Sequence, residues 1–386
     1  MENKEHKAAQ IHEYGGKIEI GTRTLNKPEK GQLLIKVMRV ATNPADLFFL
    51  KGVYGESKPD VFPIIPGMEG TGEIVEVGEG VDPNLIGKRA SFAIDTNHTG
   101  AHHGAWAQYT YAPAAFSMIF ENDVDYDRIT HWLVNPMTVA GFLDTVKKAN
   151  SKSLVQDGAS SALGKMLIRL CAKEGIQTIN LIRSERHRED LLKLGANYVI
   201  NTSQEGWEKE LADLSRQLEA TICFDCIGGD IVGKIMYALP NGSTLYNYGN
   251  LEGKPLNGFI TQDLIFGKKT LKGFWLKTWM GSLTTEEKVY WWGFVMKELS
   301  TGDIFSTTIS KKFPLENIEE AIGGFSRNDF KYKISISYKE ARETRYWIRL
   351  LTSTGYFSEE DGGSALSDLD ELLKMLMSTL KTLNRL

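Results

Sequence analysis

S-L-V-Q-D-G-A-S-S-A-L-G-K-M-L-I-R-L-C-A-K-E-G-I-Q-T-I-N-L-I-R, residues 153–183, is the stretch on which the reading of this chain turns. A short apolar run (Leu154, Val155) enters a turn of small residues between Gly158 and Gly164. A helical stripe follows (Met166, Leu167, Leu170, Cys171), then a second apolar run (Ile179, Leu181, Ile182) that ends at Arg183. The order predicts a β-α-β unit with its small-residue turn at the helix start, where backbone N–H groups can meet a phosphate. The strict G-x-G-x-x-G is absent, so an ordinary β-α-β crossover is the competing reading.

The residue that closes the second run bears on the cofactor. A site for NAD normally places Asp or Glu there, against the ribose 2′-hydroxyl; here Arg183 takes the place, with Arg186, His187 and Arg188 beyond it. A guanidinium suits a 2′-phosphate, so NADP(H) is expected over NAD(H).

Working outward, 386 residues with 42% hydrophobic and 24% charged content describe an ordinary globular chain of two or three domains. The net charge of −4 and scattered Lys and Arg argue against a nucleic-acid partner. No apolar run reaches the roughly 18 residues that a membrane span needs. The start, M-E-N-K-E-H-K, lacks an apolar signal core, so a cytoplasmic location is expected, with the mitochondrial matrix as the alternative. Cys171, Cys223 and Cys226 fit a reducing compartment. Cys223 and Cys226 form a C-x-x-C inside an apolar strand, where residues three apart face opposite ways, and no second pair completes a zinc site. His98, His102 and His103 lie in a Gly/Asn/Thr loop with no carboxylate or cysteine to complete a ligand set, so no metal is expected.

Residues 1–127 have the texture of an irregular β domain, with short runs at 33–37, 72–77, 89–93 and 107–111. A helix over 131–149 leads into alternating strand and helix signals up to about residue 274, the pattern of a doubly wound parallel sheet. Helices over 284–299 and 315–325 and a closing strand over 333–338 are assigned back to the first domain. The expected organisation is therefore α/β: an irregular β catalytic domain from 1–127 and 275–339, and a nucleotide-binding domain of Rossmann type at 128–274. Residues 340–386 form an extension. Its stripe of Leu369, Leu372, Leu373, Leu376, Leu380 and Leu383 predicts an amphipathic helix that docks on the body of the chain or meets a partner.

Several strings carry a family resemblance. A-T-N-P-A-D-L-F-F-L-K-G-V-Y-G (41–55) and F-P-I-I-P-G-M-E-G-T-G-E-I-V-E-V-G (62–78) resemble the zinc-independent branch of the medium-chain dehydrogenase/reductase superfamily over about residues 10–338. The resemblance implies a GroES-like catalytic domain beside the Rossmann domain. Zinc alcohol dehydrogenases read G-H-E where this chain has Gly67-Met68-Glu69, and their first zinc cysteine is replaced within Asn43-Pro44-Ala45-Asp46. Four shorter strings, G-V-Y-G (52–55), V-N-P-M-T (134–138), T-I-N-L-I-R (178–183) and G-F-W-L (273–276), are similar to the 2-enoyl thioester reductases of mitochondrial fatty acid synthesis and their bacterial relatives. That similarity implies Tyr54 as the catalytic hydrogen-bond or proton donor. It implies cofactor contacts at Asn135, at Ser160, Ser161, Ala162 and Leu163, at Arg183, Ser184 and Glu185, at Tyr248, Gly249, Asn250 and Leu251, and at Phe274, Trp275, Leu276 and Lys277. Lys333, before the closing strand, is a further implied contact. Ala162 departs from the family's glycine in the turn.

The implied activity is delivery of hydride from NADPH to the β-carbon of a 2-enoyl thioester, in a homodimer formed through the nucleotide domain. A quinone or enone reductase of the same fold is the first alternative. A catalytically weak cofactor-binding subunit, anchored in an assembly by the C-terminal leucine helix, is the second. Trp275 is assigned to the cleft, and Trp291 and Trp292 to the core.

Overall fold

The structure, a computed structural model, describes residues 4–56, 58–94, 103–323 and 327–385. The chain divides into two compact units, Met1–Ile322 and Gly323–Leu386.

The first unit begins with an antiparallel ribbon of β1 (Glu5–Gln10) and β2 (Glu19–Thr24) that the hydropathy pattern did not signal. After β3 (Gln32–Val40) comes the short helix α1 (Pro44–Leu50), then β4 (Glu69–Val77), β5 (Arg89–Ala93), β6 (Tyr109–Pro113) and β7 (Ser117–Phe120). These make an antiparallel five-stranded sheet in the order β6-β3-β4-β5-β7, with register shifts in β3 that bend the strand. Alternate residues Leu33 and Ile35 point to one core, joined by Ile74, Ala90, Phe92 and Trp106.

The chain crosses over through α2 (Tyr126–Ile129) and a five-residue π-helical turn at Leu133–Met137, which runs straight into α3 (Thr138–Lys148). Six parallel strands follow, separated by helices: β8 (Ser153–Gln156), α4 (Ala162–Glu174), β9 (Gln177–Ile182), α5 (Arg188–Lys193), β10 (Tyr198–Asn201), α6 (Trp207–Gln217), β11 (Ile222–Asp225), α7 (Ile231–Ala238), β12 (Thr244–Asn247), α8 (Thr261–Ile265) and β13 (Thr270–Gly273). The sheet order is β10-β9-β8-β11-β12-β13, and strand order reverses between β8 and β11. In such a sheet the crevice for a ligand lies beyond the carboxyl ends of those two strands.

Both faces of this sheet are covered, which is why its strands read as apolar runs and not as alternations. Leu154, Ile222 and Phe224 join the core made with α3 and α4, while Val155, Cys223 and Leu245 join the core under α6 and α7. α4 is bounded by chemistry visible in its sequence. Ser161 caps its start by accepting from the Gly164 N–H at 3.0 Å, and Gly175 ends it with a φ of +68°.

After β13 the helices α9 (Leu276–Ser282) and α10 (Thr285–Thr301) pack on α3 and α4, with Trp279 donating to Asp144 at 2.8 Å. Trp291 is buried there, and Trp292 meets Trp132 with ring centres 4.6 Å apart. α11 (Ile318–Gly323) then returns the chain to the first sheet, where Ile318 enters the core of Leu33, Ile35 and Phe92.

The second unit is a hairpin of two helices, α12 (Arg327–Ser353) and α13 (Glu359–Arg385). It corrects two expectations. The closing strand over 333–338 is part of α12, and the separate C-terminal unit starts at Gly323, ahead of residue 340. K-I-S-I-S alternates like a strand over only five residues. Across the longer stretch, Ile334, Tyr338, Ala341, Arg345 and Ile348 are the less exposed positions, which is helical spacing, and no Gly or Pro interrupts residues 327–353. The expected leucine-rich helix is present as α13. Among the described residues no helix is long and apolar enough to cross a membrane.

Candidate active site

The G-V-Y-G segment follows directly on α1. Gly52 and Gly55 flank Tyr54 and both adopt left-handed backbone, with φ of +67° and +56°. A methyl at Gly52 would lie 2.8 Å from the Tyr14 ring, and one at Gly55 would lie 3.0 Å from Trp275. The two glycines therefore let the turn close tightly over an aromatic wall. Tyr54 meets Trp275 edge to face, with ring centres 6.1 Å apart and planes at 86°. Lys277 lies over the other reach of Trp275, its ammonium 5.3 Å from the ring centre.

Burial pushes the Tyr54 phenol above its ordinary range. The hydrogen bond with the Trp275 side chain works the other way, and the nearby carboxylates of Asp46 and Glu69 raise the phenol further. The group is therefore protonated across the neutral range, so its O–H can donate there while its oxygen accepts from the Trp275 indole N–H.

Those carboxylates belong to a buried polar network. Asp46, in the first turn of α1, accepts from Asn43 N–H at 2.7 Å and Met68 N–H at 3.2 Å. Glu69 opens β4 and accepts from the Asn43 side-chain amide at 2.9 Å, from Leu133 N–H at 2.8 Å and from Val134 N–H at 3.1 Å. Burial raises both acids to about 7, partly offset by these donors. The strings 41–55 and 62–78 had been read for the zinc ligands they lack; the polar residues inside them, Asn43, Asp46 and Glu69, were the available signal for this network.

Asn135 sits in the middle of the π-helical turn that Glu69 holds, half-exposed. Phe274 leaves β13 with its N–H on the Asn247 carbonyl and packs edge to face on Phe142, so Trp275 and Leu276 start α9 beside the carboxyl ends of the parallel strands.

At the strand-order reversal lie Asp157, just past β8, and Asp225, the end of β11. Asp225 accepts from Ile227 N–H, Gly228 N–H and the Asn247 amide. Asp157 accepts from Cys226 N–H at 2.8 Å and hydrogen-bonds Asp225. Burial, and then the hydrogen bond and charge of Asp225, push Asp157 well above the carboxylate range, toward its neutral form. Tyr248 contacts Cys226 and packs on Phe142 at 4.8 Å, and Leu251 donates to the Cys226 carbonyl, so the 248–251 loop caps this end of the sheet with Gly249 against Cys226 and Asn250 beside Gly228. Asp157 and Asp225 were not among the expected site residues.

The other end of the crevice is open and basic. Ser160 and Ser161 lead into α4, and the Ala162 and Leu163 amides, in its first turn, have no acceptor four residues back along the helix. Gly164 lies against the Ala159 backbone, where a methyl would come within 2.7 Å. Arg183 is exposed at the tip of β9, and Ser184 opens the turn after it. Glu185 is engaged elsewhere, with its carboxylate on Arg188 and on the Asn201 amide. Lys165, on α4, is near enough to His187 to help depress the imidazole, behind burial and Arg186. It is a cation at this end that the sequence reading passed over. This donor set, with first-turn amides, serine hydroxyls and the Arg183–Lys165 cations, fits a dinucleotide with an added phosphate.

Lys333 lies in α12, within the second unit. His98 and His102 fall outside the described residues, and His103 packs on Tyr111 at 4.8 Å. Among the described residues no three His, Cys, Asp or Glu side chains are placed to hold a metal ion.

Comparison with known proteins locates the whole. Residues 29–121 match the alcohol dehydrogenase GroES-like domain family, and residues 162–289 match the zinc-binding dehydrogenase family. Residues 315–378 match the 23S rRNA-intervening sequence protein family, a resemblance the sequence reading did not find. The mitochondrial enoyl-[acyl-carrier-protein] reductase of Arabidopsis thaliana is 30% identical over 279 residues, covering 70% of this chain and 72% of that protein. The Caenorhabditis elegans protein of the same name is 29% identical, covering 70% and 76%. A solved structure from Mesorhizobium loti, assigned as an NADPH:quinone reductase, superposes with a TM-score of 0.72 at 29% identity, covering 81% of this chain and 93% of that one.

Proposed function

The chain belongs to the medium-chain dehydrogenase/reductase superfamily, and we propose that it is a zinc-independent, NADPH-dependent reductase of 2-enoyl thioesters. The observation that carries this reading is the Tyr54–Trp275 pair, a neutral phenol set edge to face against the residue that starts α9. The relatives named as enoyl-[acyl-carrier-protein] reductases support the same substrate class.

NADPH, when bound, supplies the hydride. The Ala162 and Leu163 amides and the Ser160 hydroxyl would hold the pyrophosphate, Arg183 with Lys165 would hold the 2′-phosphate, and Asn135, Tyr248 and Trp275 would flank the nicotinamide end. Reduction at the β-carbon drives negative charge onto the thioester oxygen. Tyr54 donates a hydrogen bond to that oxygen as the charge develops, in a pocket from which Trp275 and Phe274 exclude water, so the bond acts at low dielectric. Burial raises the pKa of the phenol, so Tyr54 keeps its proton at neutral pH and can supply the one that the α-carbon takes to complete the reduction.

A second reading, reduction of a quinone or enone, is favoured by the likeness to the Mesorhizobium loti structure. Steady-state rates on a medium-chain 2-enoyl-CoA and on a small quinone, each with NADPH and with NADH, separate the two. A higher kcat/KM on the enoyl thioester with NADPH supports the first. Faster quinone turnover, unchanged by Tyr54→Phe, replaces it with the second.

A further inference from the structure

Glu69 is wholly buried, and the hydrogen-bond donors on it are all uncharged. A carboxylate held this way costs the fold dearly unless each of its donors is well placed. Two of them, Leu133 N–H and Val134 N–H, begin the Leu133–Met137 turn. Such π-helical turns are rare and cluster where function demands them. This one contains Pro136, which has no N–H to offer an ordinary helical ladder, so the turn lacks part of its own support. The third donor, the Asn43 amide, comes from the residue that opens α1. Asp46, one turn into α1, ties Met68, the neighbour of Glu69. One carboxylate thus clamps the segment that bears Asn135 to the helix that leads to Tyr54.

We propose that Glu69 is a positioning residue that fixes the Asn135 turn relative to the Tyr54 segment, and so sets the nicotinamide end of the cleft. The inference rests on the NADPH-binding reading above. What matters in it is the reach of the Glu69 oxygen to the two backbone amides, and this can be separated from its charge. Glu69→Gln keeps an acceptor oxygen in reach of the Leu133 and Val134 amides and removes the charge, giving up the acceptor that faces the Asn43 amide, whereas Glu69→Asp keeps the charge and falls short by one methylene.

The test is NADPH binding by nucleotide fluorescence, with kcat and KM on an enoyl-CoA alongside. Glu69→Gln should hold the NADPH Kd within about 3-fold of wild type, and Glu69→Asp should raise it about 10-fold, the effect expected for losing hydrogen bonds to a charged group. The Asp variant should also be non-additive with Asn135→Ala, the double variant binding within about 2-fold of Asn135→Ala alone. A Kd unchanged in Glu69→Asp, a Gln variant worse than the Asp variant, or effects of Glu69→Asp and Asn135→Ala that multiply would each overturn the proposal. Absence of NADPH binding by the wild-type chain would instead sink the preceding reading, and this one with it.

Discussion

The two ends of the crevice are built on opposite principles. At the Tyr54 end the acidic groups are fixed by their neighbours: Asp46 and Glu69 are wholly buried and bonded, and the phenol is set against Trp275. At the Arg183 end Arg183 and Arg186 are exposed at the surface, and Arg188 is tied to Glu185 and to the Val199 carbonyl. Charge at the first end acts through position and low dielectric; at the second it acts through field, which solvent and salt weaken. A reaction coordinate needs the first arrangement, while recognition of a phosphate works with the second.

The sharpest way to break this contrast is at the buried end. Tyr54→Phe removes one oxygen and should cut kcat on an enoyl thioester by roughly 100-fold or more, with NADPH Kd within about 2-fold. Comparable losses in both, read by steady-state kinetics and fluorescence titration, would mean the phenol serves binding. At the exposed end, Arg183→Ala should lower the NADPH-over-NADH preference in kcat/KM by about 10-fold while kcat stays close to wild type. A smaller effect comes from salt alone. Raising ionic strength from about 0.05 to 0.5 M should weaken NADPH binding several-fold and leave kcat nearly unmoved, because only the open end lies within reach of screening ions.

The smallest expected effect concerns stability. Burial lifts Asp46 to about 7 in the folded chain, above its unfolded value near 4. A raised folded value means that the folded state holds the proton more tightly, so this group's contribution is complete below about pH 4 and is lost as pH rises through about 7. Asp46→Asn removes the titration. The melting temperature of the variant should therefore decline less between pH 4 and 7 than that of wild type, by a few degrees. An identical decline in both would place the titration elsewhere.

Much of this could be read from residues in order. The turn at 158–164, its serine cap and the arginine at the tip of β9 follow local rules, because a β-α-β unit is made from contiguous sequence. Tyr54 came instead from the resemblance of G-V-Y-G to a family motif, and the structure gives its flanking glycines the left-handed backbone of a tight turn. The network of Asn43, Asp46 and Glu69 was not legible, since Glu69 meets residues 133 and 134 across more than 60 positions and no local pattern encodes that meeting. Lys165 was passed over because on a helix its spacing is that of any solvated lysine, and only the fold sets it near His187. The strand expected at 333–338 failed where a five-residue alternation competed with a 27-residue helix. The longer pattern wins, because each added turn extends a ladder that the short motif cannot offer.

The burial of Asp157 against Asp225 bears on how the molecule moves in an electric field. The formal charge of −4 counts both acids as ionised, whereas burial beside Asp225 pushes Asp157 toward its neutral form in the folded chain. In native isoelectric focusing the band should therefore settle at a higher pH than composition implies, and the same chain run in urea, with the two strands no longer pressing the acids together, should migrate back toward the anode.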